Sequence, residues 1–409
     1  MFIQQILVKG RIAGGLLLIF VLAIAGCASP ATQIAQQPTT PPTQTPPPEP
    51  YVIGFAGPFT GANAQYGQFL LNGAQLAVTQ INAAGGINGH QIELSMGDDQ
   101  MDPKQSPLIA QRFAQNSKVL VVIGHFASSN TLAAVPIYDR EKLPVVTAAS
   151  TSPSLSCSSS WFFRLPSTNV IQGYQGGVYA VSVLGAKRIG VMYAESDATQ
   201  AMEQWFELGV KDNGGQIIDV ETHQINDQDY TAQITKLKAL KPDLVYLNTY
   251  FNEGALILKQ AKEAGWDDTI YLGCDSVGGP GFLDLTGASV AEGFYQTVFW
   301  DPNDPSEKSQ KFVTDFQTKY GQLPEQYAAH AYSAVYVVAQ ALQSGATTRQ
   351  AIRDYLEKEG TTNGFDVVIG KFTWDKCHDP ARSVLVLKVV NGQFVSAPQQ
   401  PPAVFPTQP

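Results

Sequence analysis

Two polar segments hold the residues best suited to bind a small charged molecule. One spans residues 124–130 after the apolar run Val119–Ile123, and the other spans residues 147–153 after Val145-Val146. In open parallel sheets, ligands lie outside the carboxyl ends of the strands. Hydroxyls and free N–H groups at helix N-termini bind carboxylates or other small anions there. Helix capping explains either segment alone equally well, but two on neighbouring strands favour a binding site.

Motifs for catalysis or nucleotide binding are absent from the sequence. It contains no Gly-x-x-x-x-Gly-Lys-Ser/Thr run, no Gly-x-Gly-x-x-Gly after a strand, no His-Glu-x-x-His and no Gly-x-Ser-x-Gly. The pair Asp98-Asp99 allows a metal or acid/base role, but a strand running into a polar loop explains it more simply. The five histidines are scattered and are expected at the surface or at strand ends: His90, His125, His223, His330 and His378. We therefore expect no enzyme, no metal and no cofactor, although distant residues can converge in a fold.

Alternating strand and helix patterns position the two polar segments. Apolar runs rich in Val and Ile recur between helical stretches from Tyr51 onward, and the rhythm restarts after about residue 169. This alternation is typical of parallel sheets with helices on both faces. We expect an α/β protein with two lobes joined by several chain crossings. The net charge of −9 and the absence of a basic run after residue 27 argue against a nucleic-acid partner.

The N-terminal segment has the pattern of a secretory signal peptide. Lys9 and Arg11 precede an apolar run to Ile24, and Ala25-Gly26 stand directly before Cys27. This order resembles the bacterial lipobox, so we expect a signal peptide over residues 1–26 and a lipid on Cys27. An uncleaved membrane-spanning helix is the alternative, but the apolar run is short for a span of ~20 residues. Residues 27–50 then form a Pro-rich tether, and residues 397–409 a disordered tail.

The cysteine count allows one disulfide. With Cys27 acylated, three cysteines remain, and outside the cytoplasm a disulfide can form. The simplest assignment of these three cysteines is one disulfide and one free thiol. No Cys-x-x-Cys or zinc-site spacing occurs.

Several further motifs make the chain resemble a known family. It is similar to the leucine/isoleucine/valine-binding proteins, which are type I periplasmic solute receptors of ABC importers, over residues 51–396. The matching stretches are Ala64-Gln65-Tyr66-Gly67, residues 81–89, Asp98-Asp99 with residues 102–105, residues 122–125 with Ser128-Ser129, and Phe372-Thr373-Trp374-Asp375. The resemblance implies a two-lobed type I periplasmic binding protein fold with a three-crossover hinge. It implies a first lobe of residues 51–168 and 299–382 and a second lobe of residues 169–298 and 383–396.

The resemblance also implies a ligand pocket and a disulfide. Ser128 and Thr151 would hold an amino-acid carboxylate, while the carbonyl of Ala149 and the carboxylate of Asp275 would take the ammonium. The aromatic walls would be Tyr66, Phe126 and Tyr250. Cys157 and Cys377 would pair in the first lobe near the hinge, which leaves Cys274 free.

Asp197 departs from the family pattern. Relatives usually present an aromatic residue there, so a carboxylate puts strict branched-chain specificity in doubt. It could accept a hydrogen bond from a polar or cationic side chain or from the ammonium, or point into water.

The function implied by the resemblance is capture of a free amino acid, neutral or broad in range, by lobe closure. The expected partners are ABC permease subunits with cytoplasmic ATPases, and the receptor is expected to be a monomer outside the cytoplasm, held to a membrane by lipid alone. A ligand sensor or regulator of the same fold is one alternative, and a receptor for a small amide or urea-type solute is another.

Overall fold

The first lobe is built on a parallel sheet. The computed structural model describes residues 48–406. The sheet has the order β2-β1-β3-β4-β5, and all its pairs are parallel. β3 reads Val-Leu-Val-Val-Ile and is almost entirely buried, as expected for a strand covered on both faces. The elements are β1 (Tyr51–Gly57), α1 (Ala64–Ala83), β2 (Ile92–Asp98), α2 (Ser106–Gln115), β3 (Val119–Ile123), α3 (Ser128–Arg140), β4 (Val145–Thr147) and β5 (Phe162–Arg164).

The second lobe contains a seven-stranded mixed sheet. Its order is β14-β13-β10-β9-β8-β6-β7, and only the pairs made by β13 and β14 are antiparallel. The elements that the chain adds before it returns to the first lobe are α4 (Asn169–Ser182), β6 (Arg188–Ala194), α5 (Asp197–Asp212), β7 (Gln216–His223), α6 (Thr231–Leu240), β8 (Leu244–Asn248), α7 (Phe251–Glu263), β9 (Ile270–Gly273), α8 (Pro280–Thr286), α9 (Ala288–Ala291) and β10 (Tyr295–Val298).

Three helices and a hairpin then pack on the first lobe before the last two strands complete the second sheet. Gly73 lets α1 approach the buried helix α11 closely, because a Cβ there would lie 2.0 Å from the Ala328 carbonyl oxygen. The remaining elements are α10 (Glu307–Tyr320), α11 (Gln326–Gln343), α12 (Arg349–Thr362), β11 (Phe365–Val367), β12 (Gly370–Phe372), β13 (Leu385–Val390) and β14 (Gln393–Ser396).

The chain crosses between the lobes three times, after β5, after β10 and before β13. Hydrogen bonds join the first crossing to the third and hold the second crossing against α11. The Ser167 hydroxyl donates to the Arg382 carbonyl at 2.7 Å, and the Gln326 side chain accepts from the Phe299 N–H at 2.8 Å. The α/β class, the two mostly parallel sheets and the three-crossover hinge are therefore confirmed. No helix within residues 48–406 combines the length and the apolarity that a membrane span requires.

Residues 397–406 differ from the expected disordered tail. The Gln400 side chain accepts from the Val386 N–H at 2.7 Å and donates to the Val386 carbonyl at 3.0 Å. Farther along, the Val404 carbonyl accepts from the Gln175 side chain. β14 ends at Ser396, so none of its residues pairs with the Val386 N–H of β13. The Gln400 side chain accepts from this N–H instead.

Candidate functional site

A cavity of about 40 Å³ lies between the lobes and is lined by most of the predicted site residues. Six of the predicted ligand residues line it directly, and Tyr66 stands behind the aromatic side chain of Phe126. The lining residues of the first lobe are Phe126, Ala127, Ser128, Ala149, Thr151 and Tyr327, and those of the second are Asn169, Ala198, Thr199, Met202, Asn248, Tyr250, Asp275 and Ser276. Of the predicted ligand residues, Phe126, Ser128, Ala149, Thr151, Tyr250 and Asp275 thus come together, whereas Tyr66 and Asp197 have other neighbours.

The first-lobe side of the cavity offers donors for an anion. Ser128 is the first residue of α3, whose N-terminus has no side-chain cap. Its hydroxyl oxygen accepts from the Thr151 N–H at 3.2 Å and from the Ser152 N–H at 3.1 Å, which fixes the two polar segments against each other. Uncapped N–H groups and the positive end of a helix dipole favour negative charge here.

A second polar layer holds this loop from behind. The Thr147 hydroxyl oxygen accepts from the Ser150 N–H at 2.9 Å, and the Ser150 hydroxyl donates to the Phe126 carbonyl at 3.1 Å. Deeper still, His125 is fully buried between Asp99 and Tyr138, with Nδ1 2.6 Å from an Asp99 carboxylate oxygen. Since these side chains are all buried, the loop that carries Ser128 rests on a fixed hydrogen-bonded base.

The second-lobe side carries a buried carboxylate. Asp275 follows β9 and is 6% exposed, and the Tyr327 hydroxyl donates to its carboxylate at 2.8 Å. Burial raises the pKa of Asp275 to about 6, against the opposing effect of the Tyr327 hydrogen bond. The side chains of Gln296 and Gln326 both donate to its backbone carbonyl. A buried carboxylate without a cation is costly, so this geometry suits a cationic group of a ligand.

Aromatic side chains line part of the cavity, and Tyr66 packs against them and forms hydrogen bonds with the second lobe. Its ring stacks on Phe126 with centroids 4.3 Å apart. The Tyr66 hydroxyl donates to the Ser276 carbonyl at 2.5 Å and accepts from the Phe251 N–H at 2.9 Å. Burial raises the pKa of Tyr66 well above its usual value, so this hydroxyl keeps its proton. Tyr66 thus backs the wall formed by Phe126 and joins the lobes.

Asp197 departs from the prediction that it contacts the ligand. It is the first residue of α5, and its carboxylate accepts from the hydroxyls of Ser152 at 2.5 Å and Ser154 at 3.1 Å. The capping box of Ser196 and Thr199 starts α5 at the rim of the cleft. The side chain of Asp197 therefore reaches the first-lobe segment opposite it rather than the cavity.

Sequence reasoning missed several side chains that line the cavity. Asn248 is the last residue of the buried strand β8. A polar residue at the carboxyl end of a strand is a signal for a binding site, but this one reads as part of the strand. Asn169 begins α4 directly after the first crossing. Tyr327 lies on α11, 52 residues beyond Asp275, and nothing in the local sequence signals that the two meet.

The described residues contain one disulfide and one free thiol. Cys157 and Cys377 are bonded to each other, and Cys274 is a buried free thiol. Burial raises the pKa of Cys274 to about 12, which keeps the thiol protonated. Cys27 lies outside the described residues. Within residues 48–406, no cluster of three or more His, Cys, Asp or Glu side chains is arranged to hold a metal ion.

The chain is similar to amino-acid-binding proteins of known sequence. An "Amino acid binding protein" of Pseudomonas aeruginosa is 32% identical over 346 residues, which cover 80% of this chain and 87% of that protein. A "Leucine-, isoleucine-, valine-, threonine-, and alanine-binding protein" of the same organism is 30% identical over 331 residues, with 80% and 86% covered.

A solved structure extends the likeness to three dimensions. The branched-chain amino acid transporter substrate-binding protein of Streptococcus pneumoniae, in complex with isoleucine, superposes with a TM-score of 0.80 at 28% identity. The match covers 86% of this chain and all of that one. Residues 50–393 match the family described as periplasmic binding protein, a family of solute receptors that act outside the cytoplasm. These matches confirm the resemblance found in the sequence, and the chain belongs to the periplasmic binding protein family.

Proposed function

We propose that this protein is a receptor that binds a free amino acid between its two lobes and delivers it to an ABC permease. The observation that carries the proposal is the pairing of opposite chemistries in one small cavity. The buried Asp275 carboxylate lies on one side, and Ser128 with Thr151 lies on the other. The names of the relatives, which bind amino acids, support the same ligand class.

A zwitterion fits these two sides. An α-carboxylate accepts hydrogen bonds from the Ser128 hydroxyl and from N–H groups at the start of α3, as well as from the Thr151 segment. An α-ammonium donates to the Ala149 carbonyl and to the Asp275 carboxylate. A buried charge without a partner is costly, so a ligand that lacks either charge leaves one side unpaired.

Closure of the lobes over the ligand explains capture and release. Several hydrogen bonds cross the cleft besides those of Tyr66, among them Tyr327 to Asp275, Ser152 and Ser154 to Asp197, and the Asn252 side chain to the Ala62 carbonyl. A ligand that binds both lobes favours the closed form by its differential affinity for that form. The permease then needs only to recognise the closed receptor, while cytoplasmic ATPases supply the energy for transport.

The N-terminal sequence supports a location outside the cytoplasm. Removal of residues 1–26 and acylation of Cys27 would tether the receptor outside the cytoplasm, and residues 27–50 would act as a spacer. A single acyl chain binds a bilayer only marginally, so stable anchoring requires more than one. We also propose that the receptor is a monomer without catalytic activity, with the lobe boundaries that the resemblance implies.

Isothermal calorimetry with the purified protein tests the proposal. We expect micromolar or tighter binding of at least one of the common free amino acids and no binding of its N-acetyl amide, which lacks both charges. Equal affinity for the amino acid and its N-acetyl amide would refute the assignment of the ligand class. A urea or short-amide receptor would instead bind the uncharged compounds and ignore the zwitterions.

A further inference from the structure

Two asparagines in the cavity are held in one orientation. Asn169 and Asn248 are both fully buried. The Asn169 amide nitrogen donates to the Ala198 carbonyl at 2.7 Å, and the Asn248 amide nitrogen donates to the Thr199 carbonyl at 2.7 Å. Reversing either amide would place its oxygen against a carbonyl oxygen, and two acceptors repel. Each side chain therefore presents its oxygen, and not its nitrogen, as the group that remains for a further partner.

Both oxygens lack that partner. Oδ1 of Asn169 and Oδ1 of Asn248 are buried atoms without a hydrogen-bond donor among residues 48–406, and both residues line the cavity. Buried polar atoms in folded proteins nearly always have a partner, because a buried acceptor that lacks a donor destabilises the structure. Two unmet acceptors in one binding cavity indicate that the ligand brings the donors.

The donors of a bare zwitterion do not suffice. This count rests on the proposed function. The ligand carboxylate has no donor, and an ammonium has three N–H groups. The Ala149 carbonyl and the Asp275 carboxylate take two of them. The third can serve one asparagine oxygen, so the other oxygen needs a donor from the ligand side chain.

The size of the cavity restricts that side chain. The space between the lobes is small, about 40 Å³, which favours a short side chain over a long one. We propose that the preferred ligand is a small amino acid whose side chain carries a hydrogen-bond donor, of the serine and threonine class. Asn169 and Asn248 are the residues that select it over apolar amino acids of the same shape.

Two matched pairs of ligands test this in the unmodified protein. Threonine and valine have nearly the same shape, as do serine and 2-aminobutyrate, and in each pair a methyl replaces the hydroxyl. Sites built to bond a hydroxyl discriminate strongly against the analogue that lacks it. We expect calorimetry to show threonine and serine binding at least about tenfold more tightly than their partners, which corresponds to ~1.4 kcal/mol.

A substitution assigns the effect to the asparagine. Asn248→Leu removes the acceptor with little change in size, so we expect it to abolish or reverse the preference for the hydroxyl ligands. Asn363→Leu is the matched control, because Asn363 is exposed at the end of α12, and it should keep the order of the ligands. Thermal melts of each variant show whether it folds, and the ligand pairs remain decisive in the unmodified protein if Asn248→Leu does not.

Each outcome decides a different question. Valine binding as tightly as threonine to the unmodified protein would overturn the inference and leave the proposed function standing. An unchanged hydroxyl preference in folded Asn248→Leu and Asn169→Leu variants would also overturn it, since recognition would then lie elsewhere. Binding of none of the four amino acids or of any other zwitterion would refute the proposed function, and the inference with it.

Discussion

The Ser152 hydroxyl donates to the Asp197 carboxylate at 2.5 Å, and this bond joins the first lobe to the second at the rim of the cleft. The Ser154 hydroxyl donates to the other carboxylate oxygen at 3.1 Å. Both bonds join segments of opposite lobes, so separation of the lobes would break them. Asp197 therefore contributes to the free energy of closure, which is a different role from contact with the ligand.

Removal of this carboxylate is expected to weaken binding without changing ligand preference. Asp197→Ala loses two hydrogen bonds at a solvent-exposed rim, where a net loss of about 1 kcal/mol is typical, equivalent to about fivefold in affinity. Asp197→Asn keeps one acceptor and should lose less. Calorimetry against a panel of amino acids measures both quantities. A changed order of ligands in Asp197→Ala would instead mean that the carboxylate contacts the bound side chain.

The Asp275 carboxylate is expected to matter much more. Asp275→Ala leaves the ligand ammonium without its buried counter-charge, and loss of one partner of a buried charge pair costs about 2–5 kcal/mol of binding. Asp284→Asn is the control, because it removes an exposed carboxylate from the same lobe. Titration calorimetry should show a large loss for the first variant and none for the second. Undiminished binding by Asp275→Ala would contradict the assigned role.

The affinity is also expected to depend on pH through Asp275. Burial raises the pKa of this carboxyl to about 6 in the ligand-free protein, and a bound ammonium must lower it again. The ionised form binds, so affinity is full above pH ~7 and falls below pH ~6 by up to about tenfold per pH unit. Binding near pH 5 should therefore release a proton, which calorimetry in buffers of different ionisation enthalpy measures.

Tyr327→Phe gives this pH dependence a second check. The Tyr327 hydroxyl donates to the Asp275 carboxylate and stabilises its ionised form. Its removal should move the pH midpoint upward, whereas Asp275→Asn should flatten the profile. An affinity that stays constant between pH 5 and pH 7 in the unmodified protein would exclude Asp275 as the group that binds the ammonium.

The parts of the fold that were predictable are those encoded in local patterns. Apolar runs such as β3 and the polar residues that follow it predicted a parallel sheet with Ser128 at a strand end. The strand β5 was not predicted, because three residues carry too little periodicity. The interpretation of Asp98-Asp99 as a strand end agrees with β2, which stops at Asp98.

The contacts between distant polar residues were not predictable in the same way. His125 was expected at the surface or at a strand end, and it does follow the end of β3, but its burial between Asp99 and Tyr138 was not predicted. Asn248 and Tyr327 reach the cavity only because two lobes close around it. Hydrogen bonds between separate elements produce no periodic pattern in a single sequence. Residues that form them can therefore be identified only in the folded structure.

The N-terminal cysteine is expected to decide where the protein is found. If Cys27 carries the lipid, Cys27→Ala should move the protein from the membrane fraction to the soluble extracytoplasmic fraction. Metabolic labelling with radioactive palmitate should label the unmodified protein and not this variant. Ser29→Ala lies two residues away and should change neither result. A Cys27→Ala protein that stays with membranes after a high-salt wash would argue for the uncleaved-helix alternative.

The disulfide is expected to contribute strongly to stability. Cys157 and Cys377 are separated by 220 residues and have Cα atoms 4.4 Å apart, so their bond closes a very long loop in the unfolded chain. The chain-entropy treatment gives a gain of up to about 5 kcal/mol for such a loop.

Cys157→Ser and Cys377→Ser should each lower the free energy of unfolding by the same amount as the double variant, because both remove one shared bond. Reductant should destabilise the unmodified protein and leave these variants unchanged in denaturant titrations. Non-reducing peptide mapping of the exported protein provides the direct check, and a crosslink that contains Cys274 would contradict this pairing.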